Sequence, residues 1–242
     1  MIKFKSILVT LKKKGFKVLE RPYELNIVGV RAATILSNAF DDTMWVFYRE
    51  QNGKWRYKQY RITTDPGKYY LEKGFNGNAT SILAQGQYVD AYSIGLHQGK
   101  YEALVQTGKV TALLDDDKNN VLNFNSAKTK TGLFGINIHR AAASGTTEEI
   151  NNYSAACQVF ANAQQFKEFL ELCRKHKDKY GNKFTYTLID EKTTARQQTK
   201  RIVASVFLLA LVLIVLVVLY RKGVLSAWLT KLKSLQPKIQ IN

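Results

Sequence analysis

A histidine and a cysteine share one short stretch of this chain and are the residues best suited to nucleophilic chemistry. The stretch GINIHRAAASGTTEEINNYSAACQVF begins at Gly135, ends at Phe160 and contains His139 and Cys157. A thiol is a good nucleophile only as its thiolate, and an imidazole that takes its proton supplies thiolate near neutral pH. Each residue stands beside a short apolar run, and the segment between them is polar. This pattern predicts a strand, a loop and a second segment that runs back beside the strand and brings the thiol and the imidazole together. Because such spacing does not transfer between families, a buried cysteine and a surface histidine are the alternative.

The residues around Cys157 supply the remaining candidates for a site. The backbone N–H groups of Ala156 and Cys157 are candidates for an oxyanion hole, which would stabilise a tetrahedral intermediate. Candidates for contact with a substrate are Arg140, Ser154 and Gln158.

The segment that follows Cys157 has the pattern of an amphipathic helix. Apolar side chains recur at Phe166, Phe169, Leu170 and Cys173, the spacing of one helix face, and Asn162 is suited to the N-cap. The sequence therefore predicts a helix packed beneath the strand of Cys157. Cys173 is assigned to the core, which leaves Cys157 without an obvious disulfide partner. If the two cysteines met in space and paired, the catalytic hypothesis would fail.

Two short motifs resemble those of a known enzyme family. Ser154-Ala-Ala-Cys157-Gln-Val159 resembles the S-x-G-C-[IV]-R signature of the YkuD-like L,D-transpeptidases, and Ile138-His139 resembles the I-H-G that precedes it. The resemblance covers roughly residues 80–175 and implies a mostly β catalytic domain. It also implies that the cysteine attacks a peptide bond of the peptidoglycan stem and that the upstream histidine is its base. Ala156 and Arg140 stand where the family has glycine, and Val159 stands where it has arginine. These departures leave open a second hypothesis, a catalytically inactive module that binds or organises wall components.

The remaining patterns before residue 190 predict a mainly β fold, a sandwich or barrel, with a few short helices. A short helix ended by Gly15 is predicted at the N-terminus, and Asn52-Gly53 between two aromatic runs is a strong hairpin signal. His97 follows a predicted strand and is assigned to the surface, with an approach to the site as the alternative. Further short strands are predicted in SILAQ, GQYVDAYSIG, KYEALVQ, KVTALL and NVLNF.

Metal ions and other cofactors have little support in the sequence. The acidic run from Asp115 to Asn120 lacks the glycine and glutamate that a calcium loop of the EF-hand type needs, so it predicts a turn. The three histidines are far apart and show no zinc-ligand spacing. No cofactor is expected.

A long apolar segment predicts a membrane span. Residues 202–220 are 19 consecutive uncharged and mostly apolar residues, close to the roughly 20 that cross a bilayer core. Basic residues flank both ends, so the charge pattern does not predict an orientation. The sequence therefore predicts a single-pass, C-terminal membrane anchor, followed by a basic amphipathic tail at 221–242 suited to a lipid surface.

These patterns define an organisation and a set of partners. Residues 1–75 contain the predicted N-terminal helix and hairpin and would form either a substrate-binding lobe or the first part of one β domain. Residues 76–189 would form the catalytic domain, and residues 190–201 would form a linker. The net charge of +17 favours polyanionic partners. The expected partners are peptidoglycan and the lipid bilayer, with virion or envelope proteins if the chain belongs to a bacteriophage. Specific nucleic-acid binding is not expected, and salt-dependent DNA affinity would test that third hypothesis.

Overall fold

The chain is built mainly from β-strands, with a few short helices. The computed structural model describes residues 2–195, Leu213 and residues 216–219. The helices are α1 (Phe4–Lys13), α2 (Lys68–Lys73) and α3 (Ala163–Tyr180). The strands are β1 (Asn26–Arg31), β2 (Asp42–Arg49), β3 (Trp55–Thr63), β4 (Thr80–Leu83), β5 (Gly86–His97), β6 (Tyr101–Gln106), β7 (Val110–Asp115), β8 (Thr129–Gly132), β9 (Ile138–Arg140), β10 (Gln158–Phe160) and β11 (Phe184–Asp190).

Eight of these strands form a closed barrel in the order β1-β11-β5-β6-β9-β10-β3-β2. Two neighbouring pairs, β1 with β11 and β9 with β10, are parallel, whereas the other adjacent pairs are antiparallel. The strands β4, β7 and β8 make a separate antiparallel sheet. Strands from both sides of residue 75 enter the barrel, and residues 1–194 form one compact unit. The region 1–75 therefore contributes strands to the same barrel as the region 76–189.

Local sequence explains several of these elements. The predicted hairpin is confirmed, because β2 and β3 pair around a turn in which Gly53 has a φ of 76°. The N-terminal helix is also confirmed: α1 is followed by Gly15 with a φ of 71°, a conformation that glycine adopts without a steric penalty. NVLNF, by contrast, is not a strand, and its Val121 makes only an isolated bridge to Leu36.

Helix α3 lies against the main core, as the spacing of its apolar side chains predicts. The side chain of Asn162 accepts a hydrogen bond from the backbone N–H of Gln165 and so caps the helix. The predicted apolar positions are all buried: Phe166, Phe169, Leu170 and Cys173. They belong to the same cluster as Phe160 of β10, and the rings of Phe160 and Phe169 stack with centroids 5.0 Å apart. The helix therefore braces the strand that begins directly after Cys157.

The predicted membrane span, 202–220, lies mostly outside the described residues, as do the end of the linker and the basic tail. Of this region, Leu213 and residues 216–219 are helical, and residues 191–195 form a helical turn at the start of the predicted linker. Within the described residues, no helix is long and apolar enough to cross a membrane.

Candidate functional site

The parallel pair β9 and β10 brings His139 and Cys157 to one face of the barrel wall. Val159 is the register partner of His139 in this pair. Cys157 lies two residues before Val159, and its side chain lines the same cavity as His139. Cys157 packs against the apolar cluster that contains Val159. The structure thus places the predicted base in β9 and the predicted nucleophile directly before the neighbouring strand β10.

The thiol of Cys157 is held by backbone groups of the segment that precedes β9. Its Sγ accepts a hydrogen bond from the N–H of Asn137 at 3.4 Å and donates to the carbonyl oxygen of Gly135 at 3.5 Å. Neither hydrogen bond involves His139. Both cysteines are free, and Cys173 is fully buried in the core. The thiol is therefore available for chemistry, but in this structure its proton is directed to a carbonyl group.

His139 is a buried imidazole whose hydrogen bonds define its tautomer. Its Nδ1 lies 2.8 Å from the carbonyl oxygen of Arg140, which can only accept, so Nδ1 carries the proton. The hydroxyl of Tyr101 lies 3.3 Å from the same nitrogen and also donates to the Arg140 carbonyl. Nε2 is therefore the nitrogen with a free lone pair. This is the tautomer that a general base requires.

His97 is a second histidine of the site. The sequence-based assignment of His97 to the surface is wrong, because the residue is buried and its ring stacks on His139 with centroids 4.0 Å apart. Asn137 Oδ1 accepts from the backbone N–H of Gln106, so its amide nitrogen donates to His97 Nδ1 at 3.0 Å. His97 consequently carries its proton on Nε2. The two stacked rings have opposite tautomers, one with a basic Nε2 and one with an Nε2–H donor.

Burial keeps the candidate pair uncharged. Burial, reinforced by His97, lowers the pKa of His139 to about 3. Burial also lowers the pKa of His97, and raises the pKa of the Cys157 thiol to about 11 despite the hydrogen bond from Asn137. At neutral pH the site therefore holds a thiol and neutral imidazoles, and not a preformed thiolate–imidazolium pair.

The backbone directly before the thiol has a conformation that is more usual for glycine than for other residues. Ala156 has a φ of 152°, a value that side-chain-bearing residues rarely adopt. Its N–H donates to Ser154 Oγ at 3.3 Å, whereas the N–H of Cys157 has no hydrogen bond among the described residues. Of the two predicted oxyanion donors, Cys157 N–H is thus the one left free.

The three predicted substrate contacts lie away from the thiol's open side. Ser154 and Gln158 are fully buried; Ser154 donates to the Cys157 carbonyl, and Gln158 accepts from the hydroxyl of Tyr186. The guanidinium of Arg140 lies over the Tyr101 ring, 4.1 Å from its centroid, and lines a different cavity of about 460 Å³. These contacts give Ser154 and Gln158 a part in holding the loop before β10.

A cavity of about 520 Å³ opens beside the thiol and both imidazoles. The aromatic residues Tyr70, Phe75, Phe134 and Tyr153 line it together with Cys157, His139 and His97. They come from α2 and from loops far apart in sequence, so their convergence was not predictable from local pattern. Among the described residues, no group of three or more His, Cys, Asp or Glu side chains is placed to hold a metal ion.

Comparisons of the chain with protein-family models, curated proteins and solved structures found no match.

Proposed function

We propose that this protein is a membrane-anchored cysteine enzyme that cleaves or exchanges peptide bonds in peptidoglycan stem peptides. The observation that carries the proposal is that Cys157 and His139 line one cavity, with the imidazole held in the tautomer of a general base. The choice of peptidoglycan rests on the resemblance of residues 138–139 and 154–159 to the YkuD-like motifs.

The proposed reaction has two half-reactions. As Cys157 Sγ attacks the scissile carbonyl carbon, His139 Nε2 takes the thiol proton and a C–S bond forms. The C–N bond then breaks, and the imidazolium returns the proton to the leaving amine. Water or an amine next attacks the thioester carbon and gives a proton to His139; the C–S bond then breaks, and the imidazolium returns the proton to sulfur, which restores the thiol. Water makes the reaction a hydrolysis, whereas an amine makes it a transpeptidation.

The neutral resting state sets the timing of proton transfer. Because the pKa of the thiol is raised and that of His139 is lowered, the proton moves to His139 as the substrate is attacked rather than beforehand. The hydrogen bond from Nδ1 to the Arg140 carbonyl supports the imidazolium that forms. The free N–H of Cys157 is available to the developing oxyanion, and one such donor contributes about 3 kcal/mol in other acyl-transfer enzymes.

A second candidate function is a binding module that keeps this fold without turnover. The observation that favours it is the hydrogen bond from the thiol to Gly135 rather than to His139. The strained backbone at Ala156, where the family has glycine, points in the same direction.

Product analysis separates the two candidates. The full-length chain in non-ionic detergent would be incubated with purified muropeptides, and the products identified by mass spectrometry. The enzyme hypothesis predicts products that disappear in Cys157→Ala and form more slowly in His139→Gln. The module hypothesis predicts that all three proteins bind muropeptides equally and release no product.

The anchor determines where this chemistry would occur. The predicted span at 202–220 would hold the barrel at the membrane of a bacterial envelope or of a membrane-containing virion. Recovery of the native protein only from host cytosol, apart from membranes and particles, would contradict this placement.

A further inference from the structure

Among the described residues, those that line the cavity beside Cys157 include no charged side chain, although the chain as a whole carries a net charge of +17. The polar groups that line it are amides and hydroxyls, among them Gln98, Asn137 and Asn152, together with two histidines whose lowered pKa values keep them neutral. Lys100 and Arg140 are close enough to lower the pKa of His97, but neither lines the cavity. A carboxylate bound here would lose hydration without gaining an ion pair.

Exposed aromatic side chains lie at the mouth of the same cavity. The described residues include five strongly exposed aromatic side chains, and three of them, Phe75, Phe134 and Tyr153, line this cavity. Tyr70 joins them, with its ring centroid 5.9 Å from that of Phe75. Exposed apolar groups that converge on a concave surface mark a binding site more often than isolated ones do.

We infer that the site selects an uncharged acyl donor: a peptide whose carboxyl groups next to the scissile bond are amides, and which presents an apolar side chain to the aromatic rim. This inference rests on the proposed function for its acyl-transfer chemistry. It adds a specificity that excludes substrates bearing a free carboxylate beside the thiol.

A matched pair of thiol reagents tests the selectivity without requiring turnover. Two iodoacetanilides, one with a 4-carbamoyl group and one with a 4-carboxyl group, have nearly the same shape but differ by one negative charge. Each would be reacted with the full-length protein in non-ionic detergent at about 0.15 M salt, where charges more than roughly 8 Å away are largely screened. The rate of Cys157 labelling, read by peptide mass spectrometry, would be divided by the reagent's rate with N-acetylcysteine methylamide.

The expected result is labelling by the carbamoyl reagent at least about tenfold faster than by the carboxyl reagent, after this correction. Equal rates, or faster labelling by the carboxyl reagent, would overturn the inference. Either result would mean that the positive charges of Lys100 and Arg140 determine which reagent reacts faster. Cys173 is fully buried and reports unfolding, because it becomes labelled only when the core opens.

A cation placed at the mouth should largely abolish the selectivity. Gln98 is exposed and lines the cavity, so Gln98→Lys should bring the two corrected rates within about twofold of each other. Gln164→Lys, at an exposed residue that lines the other cavity, should leave the ratio as in the wild type. An unchanged ratio in Gln98→Lys, with Cys173 still protected, would contradict the proposal.

The aromatic rim, which is the set of aromatic side chains at the cavity mouth, is tested separately. Phe134→Ser should slow the carbamoyl reagent several-fold while leaving the small reagent iodoacetamide unaffected. Equal slowing of both reagents would argue against binding at the rim. Selective labelling without turnover of amidated muropeptides would support this specificity and reject the enzyme, whereas turnover of substrates with free carboxylates would support the enzyme and reject the specificity.

Discussion

The imidazole rings of His97 and His139 stack with their centroids 4.0 Å apart and an interplanar angle of 20°. Their hydrogen-bond partners fix opposite tautomers, because Nδ1 of His139 donates to a carbonyl group whereas Nδ1 of His97 accepts from Asn137. The two rings therefore differ at Nε2: that of His139 has a free lone pair and can accept a proton, whereas that of His97 carries a proton and can donate a hydrogen bond. The contact also couples the two titrations, since a proton on one ring disfavours a proton on the other.

Replacing His97 should move the titration of His139. His97→Phe keeps a flat ring in the stack but removes the second ionisable group, so the pKa of His139 should rise above its present value of about 3. An NMR titration of the His139 ring signals measures this shift. His176→Phe, at another buried histidine with a lowered pKa, should leave the His139 midpoint where it is. An unchanged midpoint in His97→Phe would contradict the coupling.

The reactivity of Cys157 should follow the titration of an isolated, buried thiol. With a pKa of about 11, only about one molecule in 10,000 carries the thiolate at pH 7, so alkylation by iodoacetamide should accelerate about tenfold per pH unit between pH 7 and 10. The rate should be nearly the same in His139→Gln, because the imidazole does not hold the thiol proton at rest. A plateau near pH 7 that disappears in His139→Gln would reveal a preformed ion pair and contradict the neutral resting state.

Glycine at position 156 should stabilise the protein. Ala156→Gly relieves the unfavourable φ of 152° and should raise the free energy of unfolding by about 1 kcal/mol, despite the greater flexibility of glycine in the unfolded chain. Urea denaturation of residues 1–195 measures the change. Ala155→Gly is the matched control: this neighbour does not have a positive φ, so the same substitution should destabilise by roughly 0.5–1 kcal/mol. Destabilisation by Ala156→Gly would show that the backbone there is not strained.

Acid should destabilise the barrel through His139. The pKa of His139 is about 3 in the folded protein and near its ordinary value of 6.5 in the unfolded chain, so the unfolded state binds more protons between these limits. Its contribution is complete above pH 6.5 and is lost progressively as the pH falls toward 3. Between pH 7 and 4.5, the wild type should lose about 2 to 3 kcal/mol more than His139→Gln in urea denaturation. Equal losses would contradict the burial of a neutral imidazole.

Local signals predicted much of the fold but only part of the site. The hairpin at Asn52-Gly53 and the helix capped by Asn162 depend on turn chemistry and on apolar spacing within a few residues, and both are confirmed. The burial of His97 depends instead on the pairing of β5 with β6 and of β6 with β9, contacts between distant segments. Its polar neighbours in the sequence gave no sign of it.

The roles of the residues next to Cys157 were also beyond sequence reasoning. Gln158 has its side chain hydrogen-bonded to Tyr186 inside the barrel, and Arg140 extends over Tyr101, because strand alternation and register decide which side each residue faces. A shift of one residue in the register of either strand would have turned its side chains to the opposite face of the sheet. The unusual φ of Ala156 could be anticipated only from the glycine found there in the family that the motif resembles.

The most direct test of the proposed chemistry is the detection of an acyl-enzyme. The full-length protein would be mixed with purified stem peptides, both with free carboxylates and with these groups amidated, quenched with acid at short times and examined by intact-protein and peptide mass spectrometry. We predict an acyl adduct on Cys157 that appears before free product, forms more slowly in His139→Gln and is absent in Cys157→Ala. Product released at the wild-type rate by Cys157→Ala, or the absence of both adduct and product in the wild type, would contradict the assignment of Cys157 as the nucleophile.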